Sequence, residues 1–257
     1  MLFAPEAILR TWRKFDSFPM ETLTKAWFYH QAGDGRQREV SMMKEHYQEY
    51  GIAGNCFDLS IWLLDEFTKD GVEAFPIGRS FKTERAHAAV IALDERGRRF
   101  LCDLGDQWLH PILIDCESED YTNEKLGGFF PAAQVQVMPT AGGVEVLYHR
   151  PNGKVSTQVY NTDPVDMSVF LKAAEYSQAA LKPAPLLECR IPFQHEIAHW
   201  EFSGWDIYLS TAKDYTEKRS RTQSKDGLKK STISQDTIKM FSRKHWRFIK
   251  PARDLKP

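Results

Sequence analysis

Three residues of this chain have the side chains and the order needed for nucleophilic chemistry. Cys56 follows Gly54-Asn55 and opens the segment "CFDLSIWLLDEF". His87 heads the run "HAAVIAL", and Asp103 closes "RRFLCD". A thiol becomes a strong nucleophile once its proton is removed. A helix N-terminus helps, because free backbone N–H groups and the helix dipole favour the thiolate. An imidazole takes the proton, and a carboxylate steadies the imidazole. Each residue alone has a plainer role: the cysteine as packing, the histidine as a structural strand residue, the aspartate before Gly105 as a turn residue. Their joint order and placement favour a Cys-His-Asp triad.

The segment "ALDERGRRFLCD" predicts a β-hairpin turning at Glu95-Arg96-Gly97. With Gly97 left-handed in a three-residue loop, Asp94 pairs with Arg98 and Ala89 falls opposite Asp103. His87 then shares a face with Asp103 as its diagonal neighbour. A two-residue loop would put the two on opposite faces. The hairpin permits the pair without demanding it.

These residues need elements to position them. Residues 1–71 carry helical patterns: "PEAILRTWRKF", "PMETLTKAWFYHQAG" ending near Gly33, a helix closing at Gly51, and the helix after Cys56. In that last helix Phe57, Ile61 and Leu64 recur at helical spacing, and Gly71 is its stop. Residues 72–162 change rhythm. "VEAFPIG", "AHAAVIAL", "RRFLCDLG", "QVQVM", "GVEVLYHR" and "KVSTQVYN" are short alternating runs separated by turn residues. They predict an antiparallel sheet or β-barrel. Residues 163–257 return to a helix in "DPVDMSVFLKAAEYSQAAL", then strands at "ECRIPF" and "GWDIYLS". The tail "EKRSRTQSKDGLKKST" reads as a loop, and "SQDTIKMFSRKHWRFI" as a helix followed by a strand. The fold class is therefore α+β: an N-terminal helical bundle carrying the thiol, a central β-barrel or sheet, and a C-terminal α/β segment.

The stretches "GNCFDLSIWLLDEFTKDGVEAFPIGRS" and "ERAHAAVIALDERGRRFLCDLG" resemble the core of the arylamine N-acetyltransferase family, which lies within a wider group of transglutaminase-like and papain-like enzymes. "FPMETLTKAWFYH" and "NTDPVDMSVFLKAA" are similar to two further family segments, so the likeness runs from about Phe15 to Phe170. The resemblance implies a helical bundle, a β-barrel and a C-terminal α/β lid around a cysteine-protease-like core. It makes Cys56 the acyl-accepting nucleophile, His87 the base and Asp103 the orienting acid. It implies acyl-coenzyme A as cosubstrate, a small-molecule amine as acceptor and no tightly bound cofactor. The chain departs from the family where a glycine-rich stretch normally follows the aspartate. Here it is "LGDQW", so Asp106, Gln107 and Trp108 alter the charge and shape of the pocket. Phe57, Arg79, Arg85, Asp106 and Trp108 are the candidate substrate contacts. Arg79 and Arg85 flank the approach to His87 and suit an anionic donor. The same triad also serves a thiol hydrolase, and a degenerate relative would act as a binding module.

"FQHEIAHWEF" matches H-E-x-x-H at His195 and His199, a zinc-protease signature that requires a helix. Pro192 upstream and Gly204 downstream oppose a helix, and no third ligand follows. A surface loop and no metal are expected.

The 257 residues are 42% hydrophobic, ample for a core, and carry a net charge of −1. That balance hides a split: residues 211–257 hold 14 Lys and Arg against five Asp and Glu, while the rest is acidic. A solvated extension is the simpler reading, and nucleic acid is not expected as a partner. No two of the four cysteines are spaced as CxxC, and no long apolar run occurs. A reducing, cytoplasmic setting with no membrane contact is the expectation.

Overall fold

The computed structural model describes residues 3–29, 35–182, 184–203, 206–213 and 216–220. Helix α1 (Glu6–Trp12) follows Pro5 and turns Ile8, Leu9 and Trp12 inward. The Trp12 indole donates to the Leu109 carbonyl at 2.9 Å, tying the first helix to a distant loop. Helix α2 (Val40–Tyr50) ends at Gly51, whose φ is +72°. Helix α3 (Cys56–Lys69) begins on the thiol and buries Phe57, Leu59, Ile61, Trp62, Leu63 and Phe67. Burying each such side chain contributes about 1.5–3 kcal/mol, so packing, more than helix propensity, holds α3 in place.

The segment "PMETLTKAWFYH" is not one helix. Met20–Glu21 forms a short strand, β1, and Lys25–Tyr29 winds as a π-helix. The Glu21 side chain explains the break. It is fully buried and accepts from the Thr24 backbone N–H at 2.8 Å and the Thr24 hydroxyl at 2.5 Å. A third bond, from the Gly54 N–H at 2.7 Å, fixes the chain just before Cys56.

Residues 74–161 make two four-stranded antiparallel sheets. The first runs in order β2 (Ala74–Arg79), β3 (His87–Leu93), β4 (Arg99–Cys102), β5 (Ile112–Leu113). The second is β6 (Leu126–Phe130), β7 (Ala133–Thr140), β8 (Gly143–His149), β9 (Val155–Asn161). Neither closes on itself through hydrogen bonds, so a single closed barrel is not what the pairing gives. The β3–β4 turn is the three-residue loop, with Asp94 N donating to the Arg98 carbonyl at 3.1 Å and Gly97 at φ +74°. Val90 pairs with Cys102, and the same register carried one step further sets Ala89 opposite Asp103.

The C-terminal part contributes α4 (Met167–Ala179), capped by the Asp166 carboxylate. Then come β10 (Leu186–Phe193), β11 (Glu196–Ser203), β12 (Asp206–Ser210) and β13 (Thr216–Ser220). Strand β1 joins this sheet through Met20–Glu188 and Glu21–Leu187, so the first and last thirds of the chain share one sheet. "HEIAH" is neither a helix nor a free loop. His195 sits in the β10–β11 turn and His199 within β11, paired with Arg190. One apolar cluster runs from Ala4 through α3 and both central sheets to Ala174, and a smaller one lies on the C-terminal sheet. The tail expected as a loop from Glu217 begins instead within strand β13, and its remainder, with the helix and strand expected after it, lies outside the described residues. Among the described residues no helix is long and apolar enough to cross a membrane.

Candidate active site

Cys56 is the first residue of α3, and its surroundings fix that helix end. The Asn55 side chain caps the helix by accepting the N–H groups of Phe57 at 2.9 Å and Asp58 at 3.3 Å. The Asp58 carboxylate returns a bond from the Asn55 N–H at 3.1 Å, completing a reciprocal cap. Asp58 is fully buried and takes further bonds from Tyr29 Oη at 2.9 Å, Gln37 Nε2 at 2.7 Å and Gln178 Nε2 at 3.0 Å. Arg38 Nη2, 3.3 Å away, supplies the balancing charge, and both side chains are sealed from solvent. The helix dipole therefore acts on the thiol from a rigid base, while Asn55 Oδ1 occupies the Phe57 and Asp58 N–H groups.

His87 heads β3, and its Nε2 lies 2.6 Å from Asp103 Oδ2. This leaves Nδ1 for the thiol, and a Cys56 side-chain hydrogen bond is among the influences on the imidazole. Burial opposes charge on His87, but Asp103, then Asp106, hold its pKa well above the ordinary imidazole value. Asp103 is itself fully buried and saturated. Its Oδ2 also accepts from Tyr160 Oη at 2.8 Å, and its Oδ1 from the Asp106 N–H at 2.9 Å. Burial first, and the Asp103 charge second, raise the Tyr160 phenol well above its usual value, so it remains a donor. Gly105 is the floor against which the three groups meet. A Cβ built there would stand 2.6 Å from Cys56 Cβ, 3.1 Å from His87 Cε1 and 3.2 Å from Asp103 Oδ1. Only a glycine permits that approach.

The candidate substrate contacts separate into two groups. Asp106 lies 3.9 Å from His87 Nε2 and accepts from Tyr148 Oη at 3.2 Å. Burial, then the Asp103 charge, raise its pKa to about 6. Arg79 is paired with His87 across β2 and β3, close enough for its charge to be felt at Asp106. Phe57 and Trp108, by contrast, are fully buried. Phe57 packs on Phe170 and Phe81, and Trp108 on Tyr148 and Phe130, so both are core rings, withdrawn from any substrate. Arg85 is exposed in the loop before β3, and its side chain does not line the cavity described next.

A cavity of about 600 Å³ opens beside this cluster, between β8–β9 and the C-terminal sheet. Asp106 and Tyr148 line it on the side of His87. Glu188, Glu201 and His199 line the opposite wall, and Arg150 and Lys154 stand on the β8–β9 turn. Glu188 pairs with Glu201 across β10 and β11, and His199 is two residues from Glu201 on the same face. Donor atoms of the three lie within 4.8 Å of one another, close enough to share a cation. The motif containing His199 drew attention in the sequence; Glu188, Glu201, Tyr148 and Tyr160 did not, because no local pattern sets them apart.

No protein-family model matches the chain, and no curated protein matches it in sequence. Solved structures do match in fold. The Mycobacterium marinum arylamine N-acetyltransferase, determined in complex with CoA, superposes with a TM-score of 0.67 over 95% of this chain and 86% of that one, at 8% identity. The Salmonella typhimurium enzyme gives 0.60 over 86% and 80%, at 12% identity. A Bacillus cereus arylamine N-acetyltransferase described as having a Cys-His-Glu triad gives 0.57 over 85% and 86%, at 11% identity. The fold is that of the arylamine N-acetyltransferases.

Proposed function

We propose that the chain is a cysteine acyltransferase of the arylamine N-acetyltransferase type. The observation that carries this reading is the packing of Cys56, His87 and Asp103 against Gly105 at the start of α3, within that fold. His87, held by Asp103, draws the proton from the Cys56 thiol. The sulfur bonds to the acyl carbon of a thioester, proposed as acyl-coenzyme A, and the donor carbon–sulfur bond breaks. The departing thiol takes the His87 proton. The acceptor nitrogen then attacks the acyl carbon, the bond to Cys56 breaks, and the nitrogen's proton passes to His87. The Cys56 N–H, at the open end of α3, is the proposed oxyanion donor.

Incubation with acetyl-coenzyme A should add one acetyl-sized mass to the intact protein, and an amine should remove it with ping-pong kinetics. Cys56→Ser should lose transfer entirely while keeping the parent's circular dichroism. Undiminished transfer by that variant would overturn the mechanism. Rapid release of free acid without an amine would make the same triad a hydrolase.

A further inference from the structure

Arg79 ends β2 directly opposite His87, the residue that heads β3. Residues paired across adjacent strands project from the same face, with Cβ atoms about 5 Å apart. The Arg79 side chain is therefore rooted on the face from which the His87 ring reaches Asp103. Phe81, packed on Phe57 and Phe170, pins the turn that follows and so fixes where β2 ends. Among the described residues the half-buried Arg79 guanidinium forms no ion pair and donates no hydrogen bond, and its Nε is sealed from solvent without a partner. Asp106 feels the Arg79 charge, but its oxygens are engaged elsewhere, one with Tyr148 Oη at 3.2 Å and the other 3.9 Å from His87 Nε2. A guanidinium left without acceptors in such a place is costly, and a carboxylate, which it binds through two parallel hydrogen bonds, is the group that relieves it.

The position of Arg79 decides which part of a donor it meets. In an acyl-coenzyme A the phosphates are separated from the thioester sulfur by the whole pantetheine arm, so a cation rooted beside His87 meets the acyl end. The acyl carbon is bonded to Cys56 Sγ during turnover, which holds the tail of the acyl group at a set distance from His87 and hence from Arg79. We infer that this acyl group is the half-acid of a short dicarboxylic acid, such as malonyl or succinyl, whose free carboxylate docks on Arg79. This rests on the acyltransferase reading and names its donor class. Cys56 Sγ bonds to the thioester carbon, the bond to the coenzyme sulfur breaks, and that sulfur takes the His87 proton. The second carboxylate stays ionised and takes no part in the bond changes.

The test compares malonyl- and succinyl-coenzyme A with butanoyl-coenzyme A, which is similar in length but lacks the terminal carboxylate. The rate of acyl-enzyme formation is read from intact mass. The parent should be acylated faster by the better carboxyacyl donor than by the butanoyl one. In Arg79→Met the carboxyacyl-to-butanoyl ratio should fall by on the order of 30-fold, the effect of removing one partner from a desolvated charge pair. A merely structural loss would lower both rates and leave the ratio alone, which would overturn the inference. So would a parent that prefers the butanoyl donor. Alkylation of Cys56 by iodoacetate and by iodoacetamide gives a readout free of thioester chemistry. The thiolate displaces iodide from both, and only iodoacetate carries a carboxylate. The iodoacetate-to-iodoacetamide rate ratio, measured on the Cys56 peptide, should be greater in the parent than in Arg79→Met. That difference without any acyl-enzyme in the parent would retire the acyltransferase reading and keep the carboxylate site. An acyl-enzyme with neither ratio dependent on Arg79 would do the reverse.

Discussion

Gly105 concentrates the demands of the site on one hydrogen atom. The Cys56 side chain, the His87 ring and the Asp103 carboxylate all approach the place where its side chain would be. Gly105→Ala puts a methyl group 2.6 Å from Cys56 Cβ, so either α3 or the strand carrying His87 must retreat. Overpacking of this kind costs about 1–3 kcal/mol of stability. Misplacement of reacting groups by about 1 Å costs on the order of 10²-fold in rate. Steady-state transfer kinetics with a denaturant titration should therefore show a large fall in kcat/KM beside a modest loss of stability. A variant with parental kcat/KM would mean that the three groups tolerate separation. The triad residues stood out in the sequence because each follows a local signal: a helix start, a strand head, a strand end. Tyr160 and Glu188 have none. Tyr160 reaches the site by a hydrogen bond to Asp103, 57 positions away, and Glu188 lies on a strand paired with Met20, and no short motif records such contacts.

At the scale of elements, α3 depends on a buried ionic network at its first turn. Arg38 and Asp58 are both sealed from water, and Asp58 joins the helix cap to Tyr29, Gln37 and Gln178. Arg38→Met strands a buried carboxylate and should destabilise the protein by about 3–5 kcal/mol, measured by urea unfolding. Alkylation of Cys56 by iodoacetamide should slow in the same variant, since the helix end that favours the thiolate loses its anchor. Unchanged labelling would assign thiol activation to His87 alone. The helix itself was plain in the sequence, from Cys56 at its start to Gly71 beyond its end, because its apolar spacing and its stop agree. The stretch from Met20 to Tyr29 was misread as one helix for a physical reason. Its pattern is helical, but Glu21 spends its carboxylate on Thr24 and Gly54, and Met20 pairs with Glu188 on a strand far along the chain. Tertiary pairing overrides local preference there. The hairpin register that unites His87 with Asp103 was one of two that the sequence allowed, and Gly97 in its left-handed conformation is what selects it.

At the scale of the whole molecule, the pairing of β1 with β10 folds the C-terminal sheet back over the central ones and buries Glu188 in the cavity between them. The folded protein therefore holds a proton that the unfolded chain releases. Burial, then Asp106 and Glu201, raise Glu188 to about 8, and Asp106 rises to about 6 in the same direction. Charged or titratable neighbours facing Glu188 are His199, Glu201, Asp106, Arg150 and Lys154, together with the phenols of Tyr148 and Tyr208. With folded pKa values above the unfolded ones, this stabilisation is complete below about pH 4, the ordinary carboxylate value. It is lost as pH climbs through 6 and then 8. Thermal unfolding should show the parent weakening from pH 5 to pH 8.5. Glu188→Gln carries no proton to lose, so its advantage over the parent should widen with pH, to an order of a few kcal/mol. A parent whose stability rises across this range would mean that Glu188 is already ionised and balanced by a cation within the fold.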